Sequence, residues 1–503
     1  MCFFRVPDKR KEQAKSSKPQ GVIVGLYTRF YNRWTHDHVA VVDEKQEYTY
    51  AIIDTHVRSI CSFFHHRSIR QGDVIGVQLP KSVLLLEIIL AGLAYGCPVL
   101  PLNDKYTHKE AQFYLDDARA QLYIGTQAFE TVESITDHRS LRSFSPMVAL
   151  PEIEDDALAM LLYTSGTTGI PKGAMISHGN IFATVEGLYR SWNFSDSDRL
   201  LHLLPLFHVH GLFVAQFVAM YACCTSIWMR SFHRETCLSV LATEKITVMM
   251  AVPTIYFRIV DQEKKHSFPS LRLCTSGSAP LPVPIHERFE RMFGMSIVER
   301  YGMTEVGIVL SNPYDGRRKV GTIGLPVSGA RLQVTNPDTR KPCVVGEIGE
   351  LWISGPSVIP GYLRRLEQTS STFGGSWLRS GDLAVQDEDG YIRIAGRCKD
   401  LVISGGLNIY PLEVEAVFLG HPLVEQAAGV GIPDLEWGER FVMQVMAKKG
   451  LSEEDLKQFA QEKLASYKRP KSYFFVDSFP RNAMGKVQKS KIRQQIKRDL
   501  GIE

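Results

Sequence analysis

Short apolar runs bounded by turn residues alternate with longer helical stretches along most of the chain. Val74 to Leu79, Gln121 to Gly125, Leu158 to Tyr163 and Thr247 to Val252 are continuous rather than alternating, as strands buried on both faces of a parallel sheet are. Ser82 to Tyr95 and Asn180 to Tyr189 lie between such runs and predict helices, so this part reads as an α/β body. From about Val320 the texture shifts to Gly-punctuated β-rich segments, including Gly349 to Ser354 and Gly390 to Ala395, which predicts a small antiparallel or barrel-like subdomain. Beyond Asp400 the pattern predicts helices at Pro411 to Phe418 and Ser452 to Leu464, with strands at Val424 to Gly431, Phe441 to Met446 and Tyr473 to Val476. That is enough for a compact α+β domain, and the boundaries expected are 1–398 and 399–503.

One segment, Leu212 to Met229, is uncharged for 18 residues, the lower edge of what a spanning helix needs. It carries Gln216, Cys223, Cys224, Thr225 and Ser226 and lacks basic residues on its N-terminal side, so a buried helix running into a buried strand is expected and no membrane span.

Composition adds limits. A chain of 503 residues with 44% hydrophobic and 22% charged residues is neither disordered nor fibrous. The net charge of +4 is too small over so large a surface to argue for nucleic acid or an anionic membrane. Nine scattered cysteines without a C-x-x-C pair read as reduced thiols, hence an intracellular protein, cytosolic or mitochondrial. The N-terminal stretch has Arg5, Lys9, Arg10, Lys11, Lys15 and Lys18 but also Asp8 and Glu12, and reads as a solvated basic tail with a transit peptide as the alternative.

The densest chemical signal follows the apolar run at 158–162: Tyr163-Thr164-Ser165-Gly166-Thr167-Thr168-Gly169-Ile170-Pro171-Lys172-Gly173. Its glycines allow close backbone approach to an anion, its hydroxyls donate, and Lys172 adds a point charge, so it is equipped to hold phosphate. No Walker A frame fits. A second element is Glu299-Arg300-Tyr301-Gly302-Met303-Thr304-Glu305, where Tyr301 offers a flat face for a base, Thr304 a hydroxyl for phosphate and Glu305 a hard oxygen for magnesium. Alone it would equally describe a helix N-cap with an acidic first turn. Asp382 after a glycine turn is placed to accept ribose hydroxyls, Arg397 to reach ribose or phosphate oxygens, and Gly485-Lys486 lies in a polar loop.

Together these stretches resemble the acyl-adenylate-forming superfamily of acyl-CoA synthetases, adenylation domains and beetle luciferases, from about Thr28 to Lys491. The resemblance implies a large N-terminal region of two α/β subdomains and a β-barrel-like one, then a small mobile C-terminal domain after a hinge near Lys399 and Asp400. It implies ATP, Mg2+ and coenzyme A, with small molecules as the partners. A carboxylate attacks the α-phosphate of ATP, and the thiol of coenzyme A then displaces AMP. Thr164 to Gly169 with Lys172, Ser278, Ala279, Pro280, Tyr301, Gly302, Thr304, Asp382 and Arg397 would hold the nucleotide. Glu305 would hold the metal, and Lys486, Thr304, Glu305 and His208 would act catalytically. Ser404, Gly405 and Gly406 would face coenzyme A.

Leu204 to Gly211, Ser276-Gly277-Ser278-Ala279-Pro280, Glu299 to Glu305, Ser311-Asn312-Pro313-Tyr314-Asp315-Gly316 and Pro480 to Lys489 look like malonyl-CoA synthetases. Arg300 is the deciding residue, because an arginine facing the acyl pocket would bind a second carboxylate in a two-pronged pair. The alternative is that it pairs with Glu299 or another acid and holds the loop. His208 and Ser276 would line the pocket, with Arg230 a second anion contact. Methylmalonate, a medium-chain fatty acid or an aryl-propenoate are the alternative acids, and a nucleotide-binding regulator without catalysis is the alternative of another class.

Overall fold

The computed structural model describes residues 25–165, 171–260, 266–327, 329–481 and 486–502. The basic stretch from Arg5 to Lys18 falls outside them. Among the described residues the strands form four sheets. The first has a parallel centre running Val298–Met303, Leu273–Ser276, Val248–Ala251, Arg199–His202, Thr225–Trp228 and Val39–Asp43, with antiparallel strands at both edges. The second is parallel through Glu133–Ile135, Leu122–Gly125, Ile75–Gln78, Val99–Pro101 and Leu158–Ser165, and Pro171–Ser177 folds back antiparallel on the last of these.

The helix Val83–Tyr95 packs between layers and buries nearly every side chain, which is why its sequence shows no amphipathic stripe. It starts at Ser82, whose hydroxyl accepts from Leu85 N, and stops at Gly96 in the left-handed region. The uncharged run is a π-helix, His210–Phe217, then a short α-turn and the buried strand Thr225–Trp228. No helix among the described residues is long and apolar enough to cross a membrane.

The third sheet is antiparallel and five-stranded, from Arg331–Thr335 through Ile348–Ser354 and Trp377–Gln386 to Phe373–Gly374, with Ile392–Arg397 also on Trp377–Gln386. It begins later than the Val320 texture change, because Leu325–Pro326 still pairs with the large first sheet. The fourth joins Val402–Ser404, Leu407–Ile409, Val424–Asp434, Gly438–Ala447 and Tyr473–Phe475 under the helices Pro411–Phe418, Glu453–Lys463 and Lys489–Asp499. Ser452 and Leu464, the ends of the expected helix, are its N- and C-caps. The apolar clusters of this last part start at Val402 and contain no residue preceding it, so its core is its own. The eight described cysteines are free thiols.

One carboxylate gathers the strands that carry the site. Asp198, with its side chain 2% exposed, precedes Arg199–His202 and accepts from Arg272 Nε at 2.8 Å and Nη2 at 2.6 Å, just before Leu273–Ser276. It also accepts from Thr247 Oγ1 at 2.6 Å, just before Val248–Ala251. Arg272→Ala would leave that carboxylate buried without its cation, and a loss of about 3 kcal/mol is expected in urea unfolding.

Candidate active site

The parallel strands end on one side of the first sheet, and their carboxyl ends deliver the candidate residues, where open α/β sheets bind ligands. Leu273–Ser276 ends in Ser276-Gly277-Ser278, and Arg199–His202 leads into the Leu204 to Gly211 segment. Arg300 lies on the strand Val298–Met303, and Thr304 and Glu305, which the sequence also allowed as a helix start, form the turn into the antiparallel strand Gly307–Ser311.

Arg300 is 4% exposed. Its Nε and Nη2, the edge that grips a carboxylate side-on, have no hydrogen-bond partner, and no acid pairs with it among the described residues. Glu299 instead faces His286 at 3.4 Å and accepts from Gly321 N. Burial pulls the Arg300 guanidinium down to about 9, which still leaves it charged at neutral pH. The guanidinium lies against Gly277, where a Cβ would come within 2.5 Å of Cζ. Next in sequence, Ser278 at φ +72 places its hydroxyl 3.1 Å from His210 Nδ1.

His210 was not singled out from the sequence, although it stands two residues from His208 beside a glycine. Burial and then the charge of Arg300 hold its imidazole neutral. His208 is pushed down to about 4 by burial. The Nε2 atoms of both histidines and the Ser276 hydroxyl are shielded and without partners, like Arg300. Four polar groups awaiting hydrogen bonds in one neighbourhood mark a ligand site, since buried polar atoms are rarely left unsatisfied. His202 supports the segment from behind, with Nε2 2.8 Å from Gly211 O and Nδ1 2.8 Å from the buried ammonium of Lys81.

Arg230 does not contribute a second cation to this group. It is bound to Asp43 at 3.0 Å and Glu44 at 2.9 Å, with its side chain half exposed. The expectation overlooked two acids that the fold brings from far along the chain, Asp43 from 187 residues away and Glu44 next to it.

A second group surrounds the stem of the Gly-rich loop. Gly166, Thr167, Thr168 and Gly169 lie outside the described residues, as does the side chain of Ser165. The strands Leu158–Ser165 and Pro171–Ser177 bring Thr164 opposite Lys172. Glu305, 5% exposed in the turn with Thr304, uses Oε1 to accept from Thr164 Oγ1 at 3.4 Å and Tyr362 OH at 2.9 Å. No hydrogen bond among the described residues reaches its Oε2. The Lys172 ammonium sits 4.1 Å from the centroid of the Tyr362 ring. Tyr362 is the residue that sequence reasoning missed here. Gly302 is required where it stands, because a Cβ would lie 2.0 Å from Gly307 O across the hairpin.

Asp382 accepts from Tyr301 OH at 2.6 Å and from Arg397 Nε at 2.7 Å, with Arg397 directly across the antiparallel ladder. Both expected nucleotide contacts are thus fastened to the carboxylate expected to take ribose, and its unused lone pairs remain for a sugar. Ala279 is half-buried beside Ser278, and Pro280 is exposed.

Lys486 approaches from the C-terminal part. Its side chain still reaches solvent, yet surrounding protein and then the charges of Arg397 and Lys399 lower its ammonium pKa, opposed by Asp382 and Asp400. Gly405 and Gly406, with φ of +58 and +79, form the exposed tip of the hairpin that Ser404 enters, and Trp437 covers Gly405.

A metal held here would be a hard cation such as magnesium, since one open carboxylate oxygen on Glu305 suits an ion shared with phosphates and water. Among the described residues no cluster of three or more His, Cys, Asp or Glu forms a cage of protein ligands.

The model of the AMP-binding enzyme matches residues 29–363 and that of the AMP-binding enzyme C-terminal domain matches 413–486. The mitochondrial malonate–CoA ligase ACSF3 of Mus musculus is 32% identical over 92% of this chain and 89% of its own. Feruloyl-CoA synthase of an Amycolatopsis species is 33% identical over 89% of this chain and 94% of its own. ATP-bound MatB from Rhodopseudomonas palustris superposes with a TM-score of 0.91 at 35% identity, over 94% of this chain and 99% of that one. With family matches running through both parts, the chain belongs to the AMP-binding enzyme family.

Proposed function

We propose that the protein ligates malonate to coenzyme A through a malonyl-adenylate, with release of pyrophosphate and then AMP. The coarser activity, AMP-forming ligation of an acid to coenzyme A with ATP and Mg2+, is that of the family and its relatives. The identity of the acid rests on one observation: Arg300 is buried, charged and without an acid partner among the described residues. An isolated buried charge is costly unless a ligand completes it, and a short dicarboxylate would complete it with its distal carboxylate. The neutral His208 and His210 and the Ser276 hydroxyl supply further hydrogen bonds while adding no second cation.

The proximal carboxylate would then point toward the nucleotide. Thr164, Lys172 and Glu305 lie along its phosphates and Tyr301, Asp382 and Arg397 along its nucleoside. The reaction brings two anions together, so its barrier is largely electrostatic. Lys486, set beside Arg397 and Asp382, is suited to bridge carboxylate and α-phosphate oxygens. Bound magnesium would neutralise phosphate charge, with Glu305 as its protein ligand. Residues 399–503 act as a mobile domain that withdraws Lys486 after the first step and presents Ser404, Gly405 and Gly406 to the thiol. The separate apolar core of that part supports independent movement.

Arg300→Gly is expected to lower malonate-dependent AMP formation by about a thousandfold while leaving ATP binding intact, the scale of a lost buried charge pair. Unchanged turnover of malonate would overturn the assignment, and pyrophosphate release screened across mono- and dicarboxylates identifies the acid in its place.

Gly277→Ala tests the same contact from the other side. The added methyl displaces the guanidinium, so the KM for malonate should rise with the KM for ATP unchanged in steady-state assays.

A lowered Lys486 pKa means its ammonium is lost at lower pH than an ordinary lysine's. The adenylation rate should therefore fall as pH rises through that value, and Lys486→Arg, which stays charged, should lose this alkaline limb in an ATP–pyrophosphate exchange profile.

A further inference from the structure

Lys172 and Glu305 present a physical problem. They carry opposite charges and face the same loop stem, and in a partly dry site such groups collapse into an ion pair. A paired Lys172 would be spent on Glu305, and Glu305 would turn both oxygens to the ammonium. Among the described residues no such pair forms, because Tyr362 stands between them: its hydroxyl donates to Glu305 Oε1 at 2.9 Å, and its ring carries the Lys172 ammonium 4.1 Å from the centroid.

The placement of Tyr362 is firmly built. It is 4% exposed. Its neighbours are sewn to the loop stem by Leu363 N to Gly173 O at 2.8 Å and Met175 N to Gly361 O at 3.1 Å. The Glu305 turn is tied to the same segment by Ile359 N to Glu305 O at 3.0 Å. Further along, Arg365 and Tyr163 share the carboxylate of Asp117, at 2.7 and 2.6 Å, so the loop stem and the segment carrying Tyr362 hang from one acid.

We propose that Tyr362 is a positioning residue for MgATP, a spacer that keeps Glu305 and Lys172 apart and leaves Glu305 Oε2 for the metal and the lysine for phosphate. Glu305 as metal ligand and Lys172 as phosphate contact, both part of the proposed function above, are presupposed. The two halves of the side chain have separable tasks, the hydroxyl orienting the carboxylate and the ring seating the ammonium. A merely structural tyrosine would affect ATP with and without magnesium alike.

Calorimetric titration of the full chain with ATP, in magnesium and in EDTA and without any acid, tests this. Tyr362→Phe should weaken MgATP binding by about tenfold, the usual loss when the partner of a metal ligand is removed, and leave metal-free ATP unchanged. Tyr362→Leu should weaken both, since Lys172 loses its seat. In a Glu305→Gln background, which loses the metal contact by itself, Tyr362→Phe should add nothing. Equal weakening with and without magnesium, no weakening, or full additivity with Glu305→Gln would overturn the proposal. A wild-type chain whose ATP binding ignores magnesium would instead show that Glu305 is not a metal ligand, which fails the underlying assignment.

Discussion

A buried charge with no acid beside it among the described residues organises the strand ends around it. The Arg300 guanidinium is surrounded by protein on every side, and its carboxylate-gripping edge is unmatched. Everything nearby accommodates that choice. Gly277 gives up a side chain so that the guanidinium can lie on its backbone, and the imidazole of His210 stays neutral beside the cation. Asp198 binds the opposite ends of the strands, far enough down the sheet that its own carboxylate is saturated by Arg272 and Thr247 and does not compete.

The residues proposed to hold the nucleotide follow a contrasting rule. There the charges have neighbours of opposite sign, and geometry prevents them from satisfying one another completely. Tyr301 and Arg397 each take one oxygen of Asp382, and Tyr362 takes one oxygen of Glu305. Each carboxylate is oriented by an aromatic hydroxyl while keeping acceptor capacity, an arrangement that limits reorganisation when a polyanion arrives.

Much of this architecture was legible in the chain. Continuous apolar runs mark buried parallel strands, and the Ser82 and Ser452 caps locate helix starts, because those signals are local. The Tyr163 to Gly173 and Glu299 to Glu305 motifs also lead to one site, since their chemistry is concentrated in a few consecutive residues. What escaped depends on distant partners. Arg230 looked available until Asp43 and Glu44 were brought beside it, and Tyr362, a tyrosine in an unremarkable stretch, acquires meaning only through Glu305, 57 residues earlier. The helix start that Thr304 and Glu305 also allowed gave way to a hairpin turn, because the antiparallel pairing of Arg300 with Ser311 and of Met303 with Gly307 outweighs a local capping pattern.

The apolar core that begins at Val402 has a consequence for how such an enzyme can change. On the proposed reading the acid is selected at the carboxyl ends of one sheet, and the cation expected to drive the chemistry belongs to a part that packs around different residues. Substitutions that reshape the acid pocket therefore leave the packing that presents Lys486 untouched. On the proposed reading, the acid could be exchanged with the activation step left whole.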